Sequence, residues 1–175
     1  TRCLQWVSVG CRLNPTKGTR QFNHMLKLKE NLKTRTSIMM LQELLLNGIE
    51  TGEVEDGADL MPLEHFFTPM DKDYGCCAYG RQIFMPKGMV VAGALHKKAH
   101  LTFLMQGTIL VVSEDGGKRR LKGPLTFVSP AGEKRSFYIE EDTTLVCVHL
   151  TKHTTEDDLD AIEDEVLSPS YEAMG

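Results

Sequence analysis

Three histidines in the second half of the chain are the residues whose type and spacing best suit metal chemistry. His96 and His100 are separated by three residues and stand directly before the mostly apolar segment 101–105. His149 lies near the end of a second apolar segment, 144–150. Neutral imidazoles are common ligands of zinc and iron. The pattern predicts a divalent metal bound by His96 and His100, with His149 as third ligand if its strand face points inward; the alternative is histidines bonded only to water and backbone.

A cation near these histidines points to an anionic ligand. Arg135 follows the turn Pro130-Ala-Gly132, and a guanidinium binds carboxylate or phosphate with two parallel hydrogen bonds. Lys97, beside His96, would add to the positive field at the mouth of a site. We therefore expect Arg135 and Lys97 to bind ligand. The alternatives are a surface ion pair for Arg135 with a neighbouring glutamate, and a solvated turn for Lys97.

Tyr138 and Glu140 form a further candidate pair for ligand binding. Side chains two residues apart share one face of a regular strand, which would place Arg135 on the opposite face. A tyrosine and a carboxylate on one face have the functional groups of a general acid and base. The alternative is a half-buried tyrosine beside a solvated glutamate.

Short strands between turn residues must position these side chains. From Tyr79 onward, runs rich in β-branched and aromatic residues alternate with Gly, Pro and Asp, which is typical of an all-β sandwich or barrel. The predicted strands are residues 79–85, 89–95, 100–106, 108–113, 118–122, 125–128, 135–140 and 143–151. A further edge strand is predicted within 64–70.

Helices are expected on both sides of this barrel. An apolar period predicts a helix over 22–32 and a second over 38–46, which Ser37 would cap and Asn47-Gly48 would end. The apolar residues of the second helix cover more than half of its circumference, so it must pack against the domain or a partner chain. A C-terminal helix is predicted over 156–167, capped by Thr155.

The rest of the chain is expected to be irregular. Residues 1–20 predict a loop or disorder, and the acidic stretch 50–62 predicts a linker or an extended arm. The resulting division is a basic arm with two helices and an acidic linker over 1–62, a barrel over 63–152, and a C-terminal helix and tail over 153–175.

Composition is that of an ordinary globular protein. Apolar residues make up 41% and charged residues 25% of the 175 residues, and no apolar run approaches the roughly 18 residues that a membrane span needs. The five cysteines include no C-x-x-C pair, so we expect reduced thiols and a cytoplasmic location.

Charge is distributed unevenly along the chain. Residues 1–35 contain eight basic side chains and one acidic one, although the whole chain has a net charge of −4. We expect this arm to pair with acidic surface of its own or a neighbouring chain, or to stay mobile. A nucleic-acid contact is the less favoured alternative, and an organelle transit segment is a further one.

The histidine segment that ends at Gly107 and the later turn Pro130-Ala-Gly132 together resemble the two sequence motifs of the cupin family. With the last glycine of the first cupin motif placed on Gly107, its glutamate position falls on His100 and its two histidine positions fall on Ala94 and His96. The Pro-x-Gly of the second motif is Pro130-Ala-Gly132, and its histidine position falls on Arg135. Two of the four positions therefore carry a possible ligand. The resemblance covers residues 79–151 and implies an all-β, cupin-like double-stranded β-helix, or jelly-roll barrel, with an N-terminal helical extension and a C-terminal helix.

A narrower resemblance is to short cupin-like proteins encoded in tailed-phage genomes, which have no established activity. It rests on His96-Lys-x-x-His100-Leu, on the turn Phe127-Val-Ser-Pro-Ala-Gly-x-Lys-Arg135, on Glu141-Asp-Thr143, and on His149-x-Thr151 before an acidic helix.

These observations predict a cupin-like protein that binds zinc, iron or manganese, a small polar or anionic ligand, or both, in the barrel mouth. Isomerisation, a lyase step or oxygenation are the reactions such a site would perform, and whether it is an enzyme stays open. The alternative is a non-catalytic structural or interaction protein with a degraded site, which Ala94 and Arg135 at ligand positions favour. Exposed sheet edges and the apolar helix 38–46 predict a homodimer or higher oligomer.

Overall fold

The protein is built from two antiparallel sheets that face each other. The structure, a computed structural model, describes residues 7–12, 34–114 and 117–174. One sheet has six strands in the order β2-β1-β5-β11-β8-β9, and the other has five in the order β10-β7-β12-β4-β3. The strands are β1 Val7–Arg12, β2 Glu55–Asp56, β3 Leu63–Phe67, β4 Cys77–Met85, β5 Met89–Gly93, β6 Leu95–His96, β7 His100–Gln106, β8 Thr108–Ser113, β9 Gly117–Lys122, β10 Leu125–Ser129, β11 Arg135–Ile139, β12 Thr143–Thr151 and β13 Leu167–Ser168.

The order of these strands is that of a jelly roll. Between β4 and β12 the chain crosses from one sheet to the other at almost every connection, and only the β8–β9 hairpin stays within a sheet. The predicted all-β, cupin-like barrel is confirmed. The eight strands predicted after Tyr79 all form, with bounds shifted by one or two residues, except that residues 89–95 divide into β5 and the short β6, which pairs with β13.

Apolar side chains of both sheets fill the space between them. Alternation along β4 and β12 buries every second side chain, including Ile83, Leu145 and Cys147. They pack against Met89 and Val91 of the facing sheet. The barrel interior therefore follows from the period of two in the strand sequences.

Two helices lie outside this core. Helix α1, Thr34–Glu50, packs Leu41 and Leu45 against Val9, Cys11 and Val90 of the six-stranded sheet. Helix α2, Leu159–Val166, follows a 3₁₀ turn at Glu156–Asp158 and buries its apolar stripe against one end of the barrel. Two more 3₁₀ turns lie at Ala58–Leu60 and Glu172–Met174. Within the described residues, neither helix is long and apolar enough to cross a membrane.

Several predicted element bounds were wrong. Residues 7–12, expected to be a loop, form β1 because they pair with β5 and β2, which are distant in sequence. Helix α1 begins before Ser37 and continues beyond Gly48, so neither residue marks an end. Thr155 makes no side-chain cap to the backbone.

Two predictions for the N-terminal part of the chain remain to be compared with the structure. The predicted helix over 22–32 lies outside the described residues. The stretch 50–62, expected to be a linker, contributes β2 and the buried Met61, which joins the barrel core. The three-part division of the chain stays a prediction.

Candidate metal centre

Two neighbouring strands and a short β-bridge bring the three histidines together. His100 is the first residue of β7 and His149 lies on β12, which pairs directly with β7. His96 ends β6, where it is held opposite Leu167 of β13. Because His100 and His149 both occupy inward positions of the five-stranded sheet, their rings meet inside the barrel, as the alternation on β12 requires for a third ligand.

The three imidazoles form a compact cluster. The ring centroids of His96 and His100 are 4.2 Å apart, those of His100 and His149 are 4.3 Å apart, and those of His96 and His149 are 5.2 Å apart. One ring nitrogen of each histidine lies within 4.8 Å of one ring nitrogen of the others. Small side-chain rotations from this arrangement would direct three nitrogens at one ion.

Burial keeps these imidazoles neutral. It is the main cause that lowers the pKa of His100 to about 4 and that of His149 to about 3, and it lowers the pKa of His96 well below its usual range. The nearby guanidiniums of Arg81 and Arg135 add to the effect at His96 and His100. A neutral imidazole is the form that binds a metal.

One ring nitrogen in the cluster has no protein partner. The Nδ1 atom of His96 is buried and makes no hydrogen bond within the described residues. The Nδ1 atom of His100, by contrast, lies 3.3 Å from the carbonyl oxygen of Lys98, to which it can donate. A buried polar atom without a partner is costly, and a metal ion would satisfy the His96 nitrogen. The donor set therefore fits a divalent metal that accepts nitrogen ligands.

The cluster borders a cavity of about 70 Å³ inside the barrel. Its apolar wall includes Phe127, Phe137 and Leu145, and its charged wall consists of the side chains of Arg81, Glu133 and Arg135. This volume exceeds the roughly 10–15 Å³ that one water needs. It has room for a small molecule beside an ion.

Arg135 is held in a fixed position at this wall. Its guanidinium donates to the Ser129 hydroxyl at 2.6 Å and to the carboxylate of Glu133, and it lies over the Phe127 ring with 5.3 Å to the centroid. The Ser129 hydroxyl also lies 2.7 Å from the Thr102 hydroxyl, and both serine and threonine are buried. These contacts preorganise a cation where the cupin resemblance places a histidine.

The other predicted ligand-binding residues lie away from the cavity. Tyr138 points to the outer side of its sheet and packs with the cluster beneath α1. Glu140 forms an ion pair with Arg120 at 2.6 Å, and Lys97 donates from Nζ to the carbonyl oxygen of Asp164 at 2.6 Å. The structure brings together the three histidines and Arg135, and it separates Lys97, Tyr138 and Glu140 from them.

Sequence reasoning missed further polar residues of the site, among them Arg81, Glu133 and Thr102. Arg81 is 4% exposed and occupies an inward position of β4, opposite Cys147 of β12. Glu133 and Thr102 also line the cavity. Alternation with the buried Tyr79 and Ile83 was the available signal for Arg81, because it puts a cation on the core face of a predicted strand.

Ala94 also lines the cavity and is buried. The cupin resemblance places a histidine ligand there, so this position contributes only a methyl group. His149 supplies a third imidazole from a different strand.

Comparison with known proteins found structural likeness only. No protein-family model and no curated protein matches this sequence. Among solved structures, KdgF from Halomonas sp. is 18% identical, with 59% of this chain and 87% of that chain covered and a TM-score of 0.43. An RmlC-like cupin from Shewanella frigidimarina NCIMB 400 is 14% identical, with 56% and 79% covered and a TM-score of 0.42.

An acetylacetone dioxygenase from Acinetobacter johnsonii is 14% identical, with 51% of this chain and 62% of that chain covered and a TM-score of 0.39. These structures are cupin or RmlC-like proteins and resemble about half of this chain. The likeness is too distant to bear on function, and the strand order of this chain itself defines the fold. The resemblance to phage-encoded proteins stays a prediction.

Proposed function

We propose that this protein binds a divalent metal inside its cupin-like barrel. It also binds a small anionic molecule beside the metal. The observation that carries the proposal is the cluster of three buried, neutral imidazoles, one with an unpartnered nitrogen, at the edge of an internal cavity. Buried polar groups without a satisfying partner are rare, and an ion shared with the two neighbouring imidazoles would give the His96 nitrogen a partner.

His96, His100 and His149 would hold the ion. Three imidazole ligands leave coordination positions for water or a ligand and suit zinc or iron(II) better than manganese, which prefers oxygen ligands. When bound, such an ion acts as a Lewis acid that polarises an oxygen atom of a ligand. The apolar wall formed by Phe127, Phe137 and Leu145 excludes bulk water, which strengthens electrostatic interactions at the site.

The cations at the cavity wall support an anionic ligand. Arg81 and Arg135 bring two positive charges and Glu133 brings one negative charge. These charges would oppose a bare divalent cation, and a bound carboxylate or phosphate lowers that repulsion. Metal and anion are therefore expected to bind cooperatively, each raising the affinity of the other.

Metal analysis of untagged protein tests the proposal. We expect about one zinc or iron per chain, and loss of that metal in His100→Ala, because two imidazoles bind less tightly than three. The matched control is His153→Ala, which removes a partly exposed histidine outside the cluster. Wild-type protein that takes up no zinc or iron(II) when these are added at micromolar concentration would contradict the proposal.

Arginine substitution tests the anion. In zinc-loaded protein, acetate or inorganic phosphate should raise the melting temperature, and Arg135→Gln should abolish that rise while metal content is kept. An unchanged rise in Arg135→Gln would show that Arg135 does not bind the anion.

A non-catalytic structural protein is the second candidate. It is favoured by Ala94 and Arg135, which provide no ligand at two positions where the cupin resemblance expects one. It predicts that neither metal nor anion changes the stability of the protein.

A further inference from the structure

The outer face of the five-stranded sheet is mostly apolar. Alternation along β4, β7 and β12 buries one set of side chains in the barrel and turns the other set outward. The outward apolar residues are Phe66, Ala78, Gly80, Phe84, Leu101, Phe103, Met105, Val128, Val146, Val148 and Leu150. We call this surface the open face.

Strand pairing makes the open face continuous. Leu101 on β7 lies opposite Val128 on β10 and opposite Val148 on β12. Val148 in turn lies opposite Gly80 on β4, which is paired with Phe66 on β3. One row of apolar residues therefore crosses all five strands. The exposed fractions of Val128, Leu150 and Met105 are 64%, 63% and 54%.

Helices of the described chain lie elsewhere. Helix α1 packs on the six-stranded sheet, through its contacts with Val9 and Val90. Helix α2 packs at the barrel end, through its contacts with Tyr79, an inward residue of β4, and with Ala94, which lies between β5 and β6.

Charge distinguishes the open face from the edge of the other sheet. Among its outward positions the open face has one ionisable residue, Glu64 on the edge strand β3, whose carboxylate accepts a hydrogen bond from Gln82. The edge strand β9 instead exposes four basic side chains, Lys118, Arg119, Arg120 and Lys122. Like charges on β9 oppose pairing of two copies through that edge, whereas the open face has a single ionisable residue at its edge and repels a second copy less.

We infer that a second copy of this chain covers the open face, in a symmetric dimer that stacks the two five-stranded sheets. Five strands of about six residues give a sheet footprint of ~500 Å². Side chains that protrude from the sheet enlarge its accessible area toward the about 800 Å² per partner that stable interfaces bury. A symmetric interface requires a self-complementary surface, and a mostly apolar sheet face whose one ionisable residue lies on an edge strand meets that requirement.

Sedimentation of wild type and two lysine variants tests this inference. We expect a dimer at micromolar concentration for the wild type and a monomer for Leu101→Lys, because the lysine places a charge at the centre of the interface. The matched control is Leu44→Lys on α1, since Leu44 and Leu101 have similar exposed fractions of 47% and 44%. Leu44→Lys should remain a dimer with an unchanged dissociation constant.

A second variant guards against misfolding. Val128→Lys lies on the edge strand β10, and we expect it to weaken the dimer at least tenfold while its circular dichroism spectrum and metal content match the wild type. A wild-type monomer up to 100 μM overturns the inference. A dimer that survives both open-face variants but dissociates with Leu44→Lys overturns it as well, and would assign the interface to α1.

Discussion

At the scale of single residues, the absence of a proton on the imidazole nitrogens is what suits the three histidines to metal binding. An exposed histidine at neutral pH is partly protonated, and a proton competes with a metal for the same nitrogen. Burial and the neighbouring guanidiniums keep His96, His100 and His149 unprotonated at neutral pH without any carboxylate in the cluster. The same burial makes an unpartnered nitrogen in the cluster costly, so a bound ion would stabilise the fold.

Substitution of Ser129 tests how the Arg135 guanidinium is held in position. Ser129→Ala removes the partner of both the Arg135 guanidinium and the Thr102 hydroxyl. We expect a loss of about 1–3 kcal/mol in the free energy of unfolding, because the Arg135 guanidinium and the buried Thr102 hydroxyl each lose a hydrogen-bond partner. Urea unfolding measures the loss. Thr102→Val in the Ser129→Ala background should recover part of it, and strictly additive effects of the two substitutions would contradict the coupling.

Residue-level prediction from the sequence succeeded where a motif or a strand period placed the side chain. The sequence predicts the three histidines and Arg135 near one another. The histidines form one cluster, and His96, His100 and Arg135 line one cavity. The sequence predicts Lys97 at the mouth of the same site, but its side chain extends toward the C-terminal end of α2 and donates to the carbonyl oxygen of Asp164. That contact joins residues 67 positions apart, so local spacing carries no information about it.

At the scale of elements, the turns fix the positions of the strands that they connect. Gly107 separates β7 from β8 with φ of +91°, and a Cβ atom there would lie 2.3 Å from Thr143 Oγ1 and 2.5 Å from the carbonyl oxygen of Asp142. Gly88 has a similar φ of +86°, but a Cβ atom there would meet nothing within 4 Å. Comparing alanine substitutions at Gly88 and Gly107 therefore distinguishes the cost of backbone strain from the cost of a steric clash.

We expect Gly88→Ala to lower the free energy of unfolding by about 1–2 kcal/mol, the strain of an alanine at positive φ. Gly107→Ala should lower the free energy of unfolding by at least about 3 kcal/mol, because the methyl group also displaces β12, the strand that holds His149. Chemical unfolding of both variants checks this, and equal losses would show that the β7–β8 turn absorbs the methyl group.

Helix α1 offers a second comparison within one element. Leu45 is 1% exposed beneath the helix, while the adjacent Leu44 is 47% exposed. We expect Leu45→Ala to lower the free energy of unfolding by about 2–5 kcal/mol through lost burial and a cavity against β1. Leu44→Ala should change it by less than about 0.5 kcal/mol. Similar losses for both leucines would mean that the outer side of α1 is also covered.

Elements with a strong local signal were the ones that could be predicted. The strands after Tyr79 alternate and are bounded by turn residues, which is why their bounds agree closely with the structure. Strand β1 has neither signal, and only its pairing with β5, almost 80 residues later, makes it a strand. The ends of α1 likewise depend on contacts, since Gly48 packs closely against Val54 instead of ending the helix.

The whole molecule combines a barrel filled by apolar side chains with an uncovered outer sheet face. The six-stranded sheet is covered by α1 and one barrel end by α2, whereas the outer side of the five-stranded sheet has no cover in the described chain. Glu114 joins three distant parts of the covered side, because it pairs with Arg35 at the start of α1 and accepts hydrogen bonds from Tyr171 of the tail and from the Lys134 backbone.

Acid sensitivity of the metal-free protein follows from the buried cluster and concerns the folded molecule as a unit. In the unfolded chain a histidine has a pKa of about 6.5, whereas in the folded chain the pKa is about 4 for His100 and about 3 for His149. Above pH 6.5 neither state binds these protons, and stability is highest. Between pH 6.5 and 4 only the unfolded state binds them, so the free energy of unfolding falls as pH falls.

The expected slope is up to about 1.4 kcal/mol per pH unit for each histidine. Urea unfolding of chelator-treated protein at pH 7, 6 and 5 measures it, and His100→Gln should reduce the slope because glutamine does not titrate. Zinc should reduce the loss down to the pH at which protons displace it. Equal stability of the metal-free protein at pH 7 and pH 5 would mean that the histidines are already accessible to protons in the native state, which would remove the physical basis for a neutral, preformed metal centre.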